Sequence, residues 1–184
     1  MGAADRSFGE LQRILDFGCG CGRTLRRWVA LEANVHGTDV NPTLIEWCRE
    51  NLPFATFSIN GPLPPLALPT TSFDLIYAVS VFTHLTEDVQ RRWMSEFARL
   101  LAPDGVLIIT THGSSHASRL PREQREAFER GELVVAFPEV AGSNICAAYH
   151  PPSWVRGQLA QDFRFVAHLP DRIDLQDVYV LQSA

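Results

Sequence analysis

The chain has 184 residues, of which 46% are hydrophobic and 20% charged, and its formal net charge is −5. These values are typical of a single globular domain over residues 1–184 and make nucleic acid an unlikely partner, because such binders need a basic surface. All sixteen basic residues are arginine, which excludes a Walker-type phosphate loop and any mechanism that needs a lysine.

Neither a membrane span nor a targeting segment is predicted. No apolar run approaches the roughly 18 residues that cross a bilayer, and residues 1–6 lack the apolar core of a signal peptide. The four cysteines (Cys19, Cys21, Cys48 and Cys146) do not form two pairs with a zinc-binding spacing. We therefore expect a cytoplasmic protein with reduced thiols and no bound metal.

The most informative stretch is residues 13–24, RILDFGCGCGRT. Its apolar start predicts a buried strand, and glycines at 18, 20 and 22 then precede a helical pattern. A ligand can lie directly against such a turn, because glycine has no Cβ and tolerates positive φ. The amides at the start of a helix also attract polar or anionic groups. The turn is therefore predicted to hold a cofactor.

Strand-like and helix-like segments alternate along the first two thirds of the chain. Strands are predicted over residues 14–17, 35–39, 55–59, 73–79 and 106–111, with helices over 24–32 and from Pro42 and Glu87 onward. Because parallel strands need crossover connections, this alternation predicts a doubly wound α/β fold with helices on both faces of the sheet.

The remainder of the chain is less regular. A polar helix is predicted over residues 121–130, weak strands over 133–137 and 144–149, and a last helix over 151–159. The strands predicted over residues 163–169 and 177–181 are separated by only seven residues. They must pair antiparallel, since a helical crossover needs a longer connection. We predict a seven-stranded, mostly parallel sheet with an antiparallel C-terminal strand.

Ligands of doubly wound sheets bind beyond the carboxyl ends of the strands. The glycine turn, Asp39, residues 60–61 and residues 78–80 should meet at that edge. Asp39 lies 21 residues after Gly18, close to the spacing at which an acid binds ribose hydroxyls. It could instead cap the next helix, but Asn41 followed by proline suits that role better.

The residues around the turn distinguish between ligands. A dinucleotide fingerprint needs glycine at position 23, where this chain has Arg23. Instead Asp16 precedes three alternating glycines, an arrangement that resembles the first motif of the class I S-adenosylmethionine-dependent methyltransferases. Residues 68–85 and 100–111 are similar to later motifs of the same family. The resemblance implies a Rossmann-like sheet of order 3-2-1-4-5-7-6, with S-adenosylmethionine as cofactor and S-adenosylhomocysteine as product.

The resemblance also implies eleven cofactor-binding positions: Asp16, Gly18, Cys19, Gly20, Asp39, Val40, Asn60, Gly61, Ala78, Val79 and Ser80. The first four would face the methionine part of the cofactor, and Asp39 would hold the ribose. Val40 would lie against the adenine and residues 60–61 would meet its edge, although the family more often has Asp where this chain has Asn60. Residues 78–80 would line the floor near the sulfonium.

The implied reaction is an in-line displacement at the sulfonium methyl by a nucleophile of a small-molecule or sugar-like acceptor. An alcohol or phenol would benefit from a general base, for which histidine is best suited. His84 and His150 are the predicted catalytic residues, with His112 and His116 as further candidates; a loop or surface role stays open for each. Residues 112–150 are predicted to form a substrate-capping insertion.

Two alternatives stay open. An NAD(P)-dependent oxidoreductase would share the architecture but is disfavoured by Arg23 and by the antiparallel C-terminal strands. A cofactor-binding but catalytically silent module is the second, because few residues precede the first strand, where the family commonly has substrate-covering helices. Closure would then come from residues 112–150 or from another chain, in a homodimer or a larger assembly.

Overall fold

The structure is a computed structural model and describes residues 10–183. Its strands belong to one mixed sheet. They are β1 (Arg13–Phe17), β2 (Asn34–Asp39), β3 (Ala55–Ile59), β4 (Phe73–Ala78), β5 (Leu101–His112), β6 (Val134–Ala136), β7 (Ala147–Tyr149), β8 (Phe163–Ile173) and β9 (Gln176–Ser183). The helices are α1 (Pro42–Asn51), α2 (Glu87–Leu100), α3 (Ser114–Ala117), α4 (Arg122–Glu129) and α5 (Pro152–Trp154), which continues as a π-helical turn over Val155–Leu159.

The first five strands run parallel in the order β3-β2-β1-β4-β5. β9 pairs antiparallel with β5, and β8 pairs antiparallel with β9. These two strands hold the last two places of the predicted order 3-2-1-4-5-7-6, which is confirmed. The short pair β6–β7 is additional and joins the carboxyl end of β5, where His112 lies beside Tyr149.

The closing strands are longer than predicted. β8 and β9 meet at a two-residue turn of Asp174 and Leu175, both with positive φ (47° and 63°), as in the tight turns that match strand twist. Ile173 pairs with Gln176 across this turn. The seven-residue connection predicted between the strands is therefore wrong, because both strands continue through most of it.

The helix predicted over residues 24–32 is also shorter than expected. Only Leu25–Trp28 is helical, as a 3-10 turn, and Leu25 is its one fully buried side chain. Val29 is 61% exposed. With so little apolar surface to pack, the segment does not offset the cost of forming a longer helix.

Hydrophobic clusters cover both faces of the sheet, as a doubly wound fold requires. On one face, Trp93 and Phe97 of α2 and Trp154 of α5 pack on the sheet. On the other, Ile45 and Cys48 of α1 pack with the strands and with Leu25. No helix within residues 10–183 has the length and apolar character to cross a membrane.

The proline-rich loop of residues 62–72 is held against α2 by one buried carboxylate. Glu96 accepts a hydrogen bond from the Leu66 amide (2.8 Å) and pairs with Arg99 (2.6 Å). Trp93 Nε1 donates to the Pro62 carbonyl (3.3 Å). Burial would raise the pKa of Glu96, but its bonds to Arg99 and the Leu66 amide hold that pKa below the ordinary value.

We expect Glu96→Ala to lower the free energy of unfolding by about 2–4 kcal/mol at neutral pH, since it leaves the buried Leu66 amide without an acceptor and Arg99 without its carboxylate partner. Glu46→Ala is the matched control, because Glu46 also pairs with an arginine three residues on but is 64% exposed, against 6% for Glu96. Its effect should stay below about 0.5 kcal/mol.

Urea unfolding measures both values. The folded-state pKa of Glu96 lies below that of the unfolded chain, so its contribution is present above the ordinary pKa of 4.5 and is lost as the pH falls through the folded-state value. Equal effects of the two substitutions would contradict this account of the loop.

Candidate functional site

The glycine turn after β1 is held against the end of β2. The amides of Gly18 and Cys19 both donate to the Thr38 carbonyl (2.8 and 3.0 Å). Gly18 and Gly20 have positive φ (73° and 54°), and a Cβ on Gly18 would overlap the side chain of Val81. A Cβ on Gly20 would meet no described atom within 4 Å. The turn is thus tightly packed on one side and open on the other.

Asp39 links this turn to the start of α1. Its carboxylate accepts hydrogen bonds from the Gly20 amide and from the Asn41 amide, each at 2.9 Å. Asn41, as predicted, caps the helix by accepting from the amides of Thr43 and Leu44. Each Asp39 oxygen retains a second lone pair with which it can accept a hydroxyl proton.

Asp16 is a buried acid with an unused oxygen. It is 3% exposed, and its Oδ2 has no hydrogen-bond partner among the described residues. Burial raises its pKa to about 7, although a hydrogen bond from Tyr77 opposes the rise and nearby Asp39 adds to it. Trp28 Nε1 in turn donates to the Tyr77 hydroxyl (3.0 Å). Such an oxygen is suited to a cationic donor from a ligand.

A cavity of about 520 Å³ opens at the carboxyl ends of the parallel strands. Seven of the predicted cofactor-binding residues line it, together with His84: Gly18, Asp39, Val40, Asn60, Gly61, Val79 and Ser80. The other four, Asp16, Cys19, Gly20 and Ala78, do not line its wall, and three of them are buried. A second depression of about 400 Å³, beside Arg13 and His36, lies at the amino ends of the strands, away from the edge at which such folds bind ligands.

Ser80 is positioned by strands far from it in the sequence. It has a positive φ of 60°, and its amide donates to Thr110 Oγ1 (2.7 Å). Gln176 Nε2 donates to Ser80 Oγ (2.9 Å) and Thr110 donates to Gln176 Oε1 (2.6 Å). β5 and β9 therefore shape the cavity floor, a role for Gln176 that no pattern in the sequence indicated.

The Asn60 side chain is occupied within the protein. Its Oδ1 accepts from Thr38 Oγ1 (2.8 Å), and its Nδ2 donates to the Gly61 carbonyl (2.7 Å). Because it is 9% exposed, its main role in the structure is to shape the turn after β3.

His84 lies half-buried on the cavity wall. Its Nδ1 is 2.8 Å from the Cys146 carbonyl, and since a carbonyl only accepts, Nδ1 must carry the proton of that bond. No described residue bonds its Nε2. The backbone is held as well, because the Gly142 amide donates to the His84 carbonyl (2.7 Å). In its neutral form this ring presents Nε2 as an acceptor.

The structure does not bring His150 to the cavity. The residue is fully buried, its Nε2 lies 3.0 Å from Gln90 Oε1, and burial lowers its pKa to about 3. His112 and His116 stack on each other with ring centroids 4.2 Å apart, and neither lines the cavity. Burial, His116 and His84 lower the pKa of His112 to about 4.

The remaining cavity wall comes from residues that sequence analysis did not single out. Pro62 and Leu63 come from the proline-rich loop, Val89 and Trp93 from the first half of α2, and Leu85 from the turn before it. Ala141, Gly142 and Asn144 come from the irregular region between β6 and β7. That region was expected to lie near the acceptor, but no motif identified these positions.

Comparison with known proteins agrees with this geometry. The family profile described as "Methyltransferase domain" matches residues 14–105, half of the chain. An uncharacterised methyltransferase of Bacillus licheniformis is 23% identical over 67% of this chain and 58% of its own length. A ubiquinone biosynthesis O-methyltransferase of Rhodopseudomonas palustris is 28% identical over 54% of this chain and 39% of its own. The chain therefore spans less than two thirds of the length of these curated relatives.

Solved structures share the fold at low sequence identity. A SAM-dependent methyltransferase from Methanosarcina mazei superposes with a TM-score of 0.71 at 18% identity, covering 98% of this chain and 95% of the other. A TehB-like SAM-dependent methyltransferase from Corynebacterium glutamicum gives a TM-score of 0.65 at 21% identity, covering 98% and 84%. The matched profile, the sheet order and the glycine turn together confirm the predicted resemblance, and this chain belongs to the class I S-adenosylmethionine-dependent methyltransferases.

Proposed function

We propose that this chain transfers the methyl group of S-adenosylmethionine to a hydroxyl group of a small-molecule acceptor, with His84 as the general base. One observation supports this above the others. The imidazole of His84, with its Nδ1 held by Cys146, lines the same cavity as Gly18, Asp39 and Ser80. When bound, the cofactor supplies an activated methyl group on a sulfonium centre.

The residues at the glycine turn fit such a cofactor. The unpartnered Asp16 oxygen suits the ammonium of its methionine part, and the spare lone pairs of Asp39 suit the ribose hydroxyls. The open side of Gly20 leaves room for a ligand against the backbone. An Asp16 carboxylate close to this turn would repel the pyrophosphate of a dinucleotide, which, together with Arg23 in place of the fingerprint glycine, disfavours the oxidoreductase alternative.

His84 is suited to accept the proton that an acceptor hydroxyl loses. A positioned general base contributes about 10²- to 10⁴-fold to rate. The protonated ring would keep its bond to the Cys146 carbonyl, which stabilises the positive charge. The relative named as an O-methyltransferase also supports oxygen as the acceptor atom. A catalytically silent module would not need an imidazole held in this way.

Replacing Asp39 with alanine should weaken S-adenosylhomocysteine binding by about 10- to 100-fold, because it removes charged hydrogen bonds to the ligand and to Gly20. Asp74→Ala is the matched control. Asp74 likewise accepts two backbone amides, from Gln12 and Arg13 (3.0 and 2.9 Å), but does so at the amino end of the sheet. Titration calorimetry should show an affinity within about twofold of the wild type for that control. An unchanged affinity for Asp39→Ala would remove its ribose assignment.

Binding of S-adenosylhomocysteine should tighten as the pH rises toward about 7, where Asp16 ionises, and should level off above it. The same group destabilises the free protein. Its folded-state pKa is raised from 3.8 to about 7, so stability is lost as the pH rises between these values and does not return above them.

We therefore expect Asp16→Asn to change both ligand binding and the stability of the free protein. It should abolish the pH dependence of binding that Asp16 causes, and it should stabilise the free protein. That stabilisation should grow by about 2 kcal/mol between about pH 5.5 and about pH 8, measured by urea unfolding against the wild type. A difference in stability that stays constant across this pH range would show that the folded-state pKa of Asp16 is not raised.

His84→Gln should reduce methyl transfer by at least about 100-fold while leaving S-adenosylhomocysteine affinity within about twofold. Glutamine retains an amide donor for the Cys146 carbonyl but cannot act as a base. Transfer of radiolabelled methyl to a panel of alcohols and phenols measures the rate. His36→Gln is the control, since His36 bonds Ser58 (2.8 Å) and lines the depression at the amino ends of the strands, not the cavity that contains His84. Equal rates in the two variants would exclude His84 as the base.

A further inference from the structure

The part of the cavity that is not assigned to the cofactor has an almost entirely apolar wall. Its apolar side chains include Leu63, Val81, Leu85, Val89, Trp93 and Ala141. Apart from Asn41, whose side chain caps α1 next to Val40, its polar side chains are His84 and Asn144. Although the chain contains sixteen arginines, none within residues 10–183 lines this cavity, and the one acid on its wall is Asp39 in the cofactor part.

From this wall we infer the class of acceptor: an uncharged, mostly apolar hydroxyl compound, with acceptors that bear a carboxylate or phosphate rejected. The inference rests on the proposed function, because it assigns the rest of the cavity to the cofactor. An anion in this space would lose its water and gain no counterion, and burying an unpaired charge is strongly unfavourable. A neutral hydroxyl needs only the base that His84 provides.

The rim of the cavity extends the apolar surface outward. Leu63 lines the cavity and is 45% exposed, and Val40, at the proposed adenine position, is 51% exposed. Ile145, which follows the lining residue Asn144 in the chain but does not itself line the cavity, is 64% exposed. Large apolar side chains that remain exposed around a binding cleft are typical of sites for apolar ligands. The acceptor skeleton is therefore expected to stay apolar where it leaves the cavity.

Hydrogen bonds hold His84 to the segment of the chain that carries Asn144. The segment of residues 140–146 is bonded to His84 at both Gly142 and Cys146. Within it, Ser143 Oγ donates to the Val140 carbonyl (2.8 Å) and accepts from the Ile145 amide (3.3 Å). Two polar side chains can satisfy one hydroxyl and a neighbouring polar group. A sugar would leave most of its hydroxyls unpaired against carbon, which is costly.

The test measures binding, so that it does not depend on turnover. The wild-type protein is saturated with S-adenosylhomocysteine and titrated calorimetrically with two matched phenols, 4-propylphenol and 3-(4-hydroxyphenyl)propanoate. They share the ring and the hydroxyl and differ in the terminal charge. The neutral phenol should bind at least about 30-fold more tightly than the carboxylate.

Two substitutions at one exposed position on the wall then test whether the missing counterion causes this preference. Ala141→Arg places a cation at the cavity, and Ala141→Gln adds a side chain of similar length without charge; Ala141 is exposed, so both should fold. Arginine should reduce the preference for the neutral phenol by at least about tenfold, because it supplies the missing counterion. Glutamine should leave the preference within about twofold.

The outcomes separate this inference from the proposed function. Failure of S-adenosylhomocysteine to bind the wild type would overturn the proposed function. With that ligand bound, two results would overturn the acceptor class alone: the carboxylate binding as tightly as the neutral phenol, or neither phenol binding. An equal change of preference with arginine and glutamine would also overturn it, since charge would not be the cause.

Discussion

The carboxylate of Asp39 joins the three parts of the chain on which the site depends. It lies at the end of β2, accepts the amide of Gly20 from the turn after β1, and accepts the amide of Asn41 before α1. Together with the bonds from the Gly18 and Cys19 amides to the Thr38 carbonyl, these bonds hold the turn and the start of α1 against the end of β2. The same two oxygens can still accept a ribose, so the group that organises the site is also suited to bind in it.

Asp16 illustrates how a binding site can conflict with stability. Its unpartnered oxygen is buried beside the strand core, and its pKa rises to about 7 because water cannot solvate the charge. A ligand ammonium would relieve that cost. The contribution of Asp16 to the stability of the free protein is therefore expected to be least favourable at the pH at which the protein binds best. Stability and affinity should change in opposite directions when Asp16 is neutralised.

The segment between β6 and β7 holds His84 in place and contributes a further polar side chain to the cavity. Residues 140–146 contact His84 through Gly142 and Cys146, fix the proton on its Nδ1, and contribute Asn144 to the same cavity. His150, equally plausible from its place in the chain, is buried against Gln90 instead. The proposed base, His84, is thus distinguished from the buried His150 by its access to the cavity.

The sheet order came from the family resemblance, whereas the sequence by itself determined the glycine turn and the acid at the end of β2. These features depend on consecutive residues or on a fixed number of residues between two strand ends, which one-dimensional spacing preserves. It placed the closing strands but not their two-residue turn, since pairing across β9 extends both strands. Only the tertiary structure decided which residues line the rest of the cavity, among them Leu63, Val89 and Asn144. These residues come from a loop, a helix and an irregular segment that are far apart in the chain. They come to one cavity only when the chain folds, so local sequence patterns do not predict it.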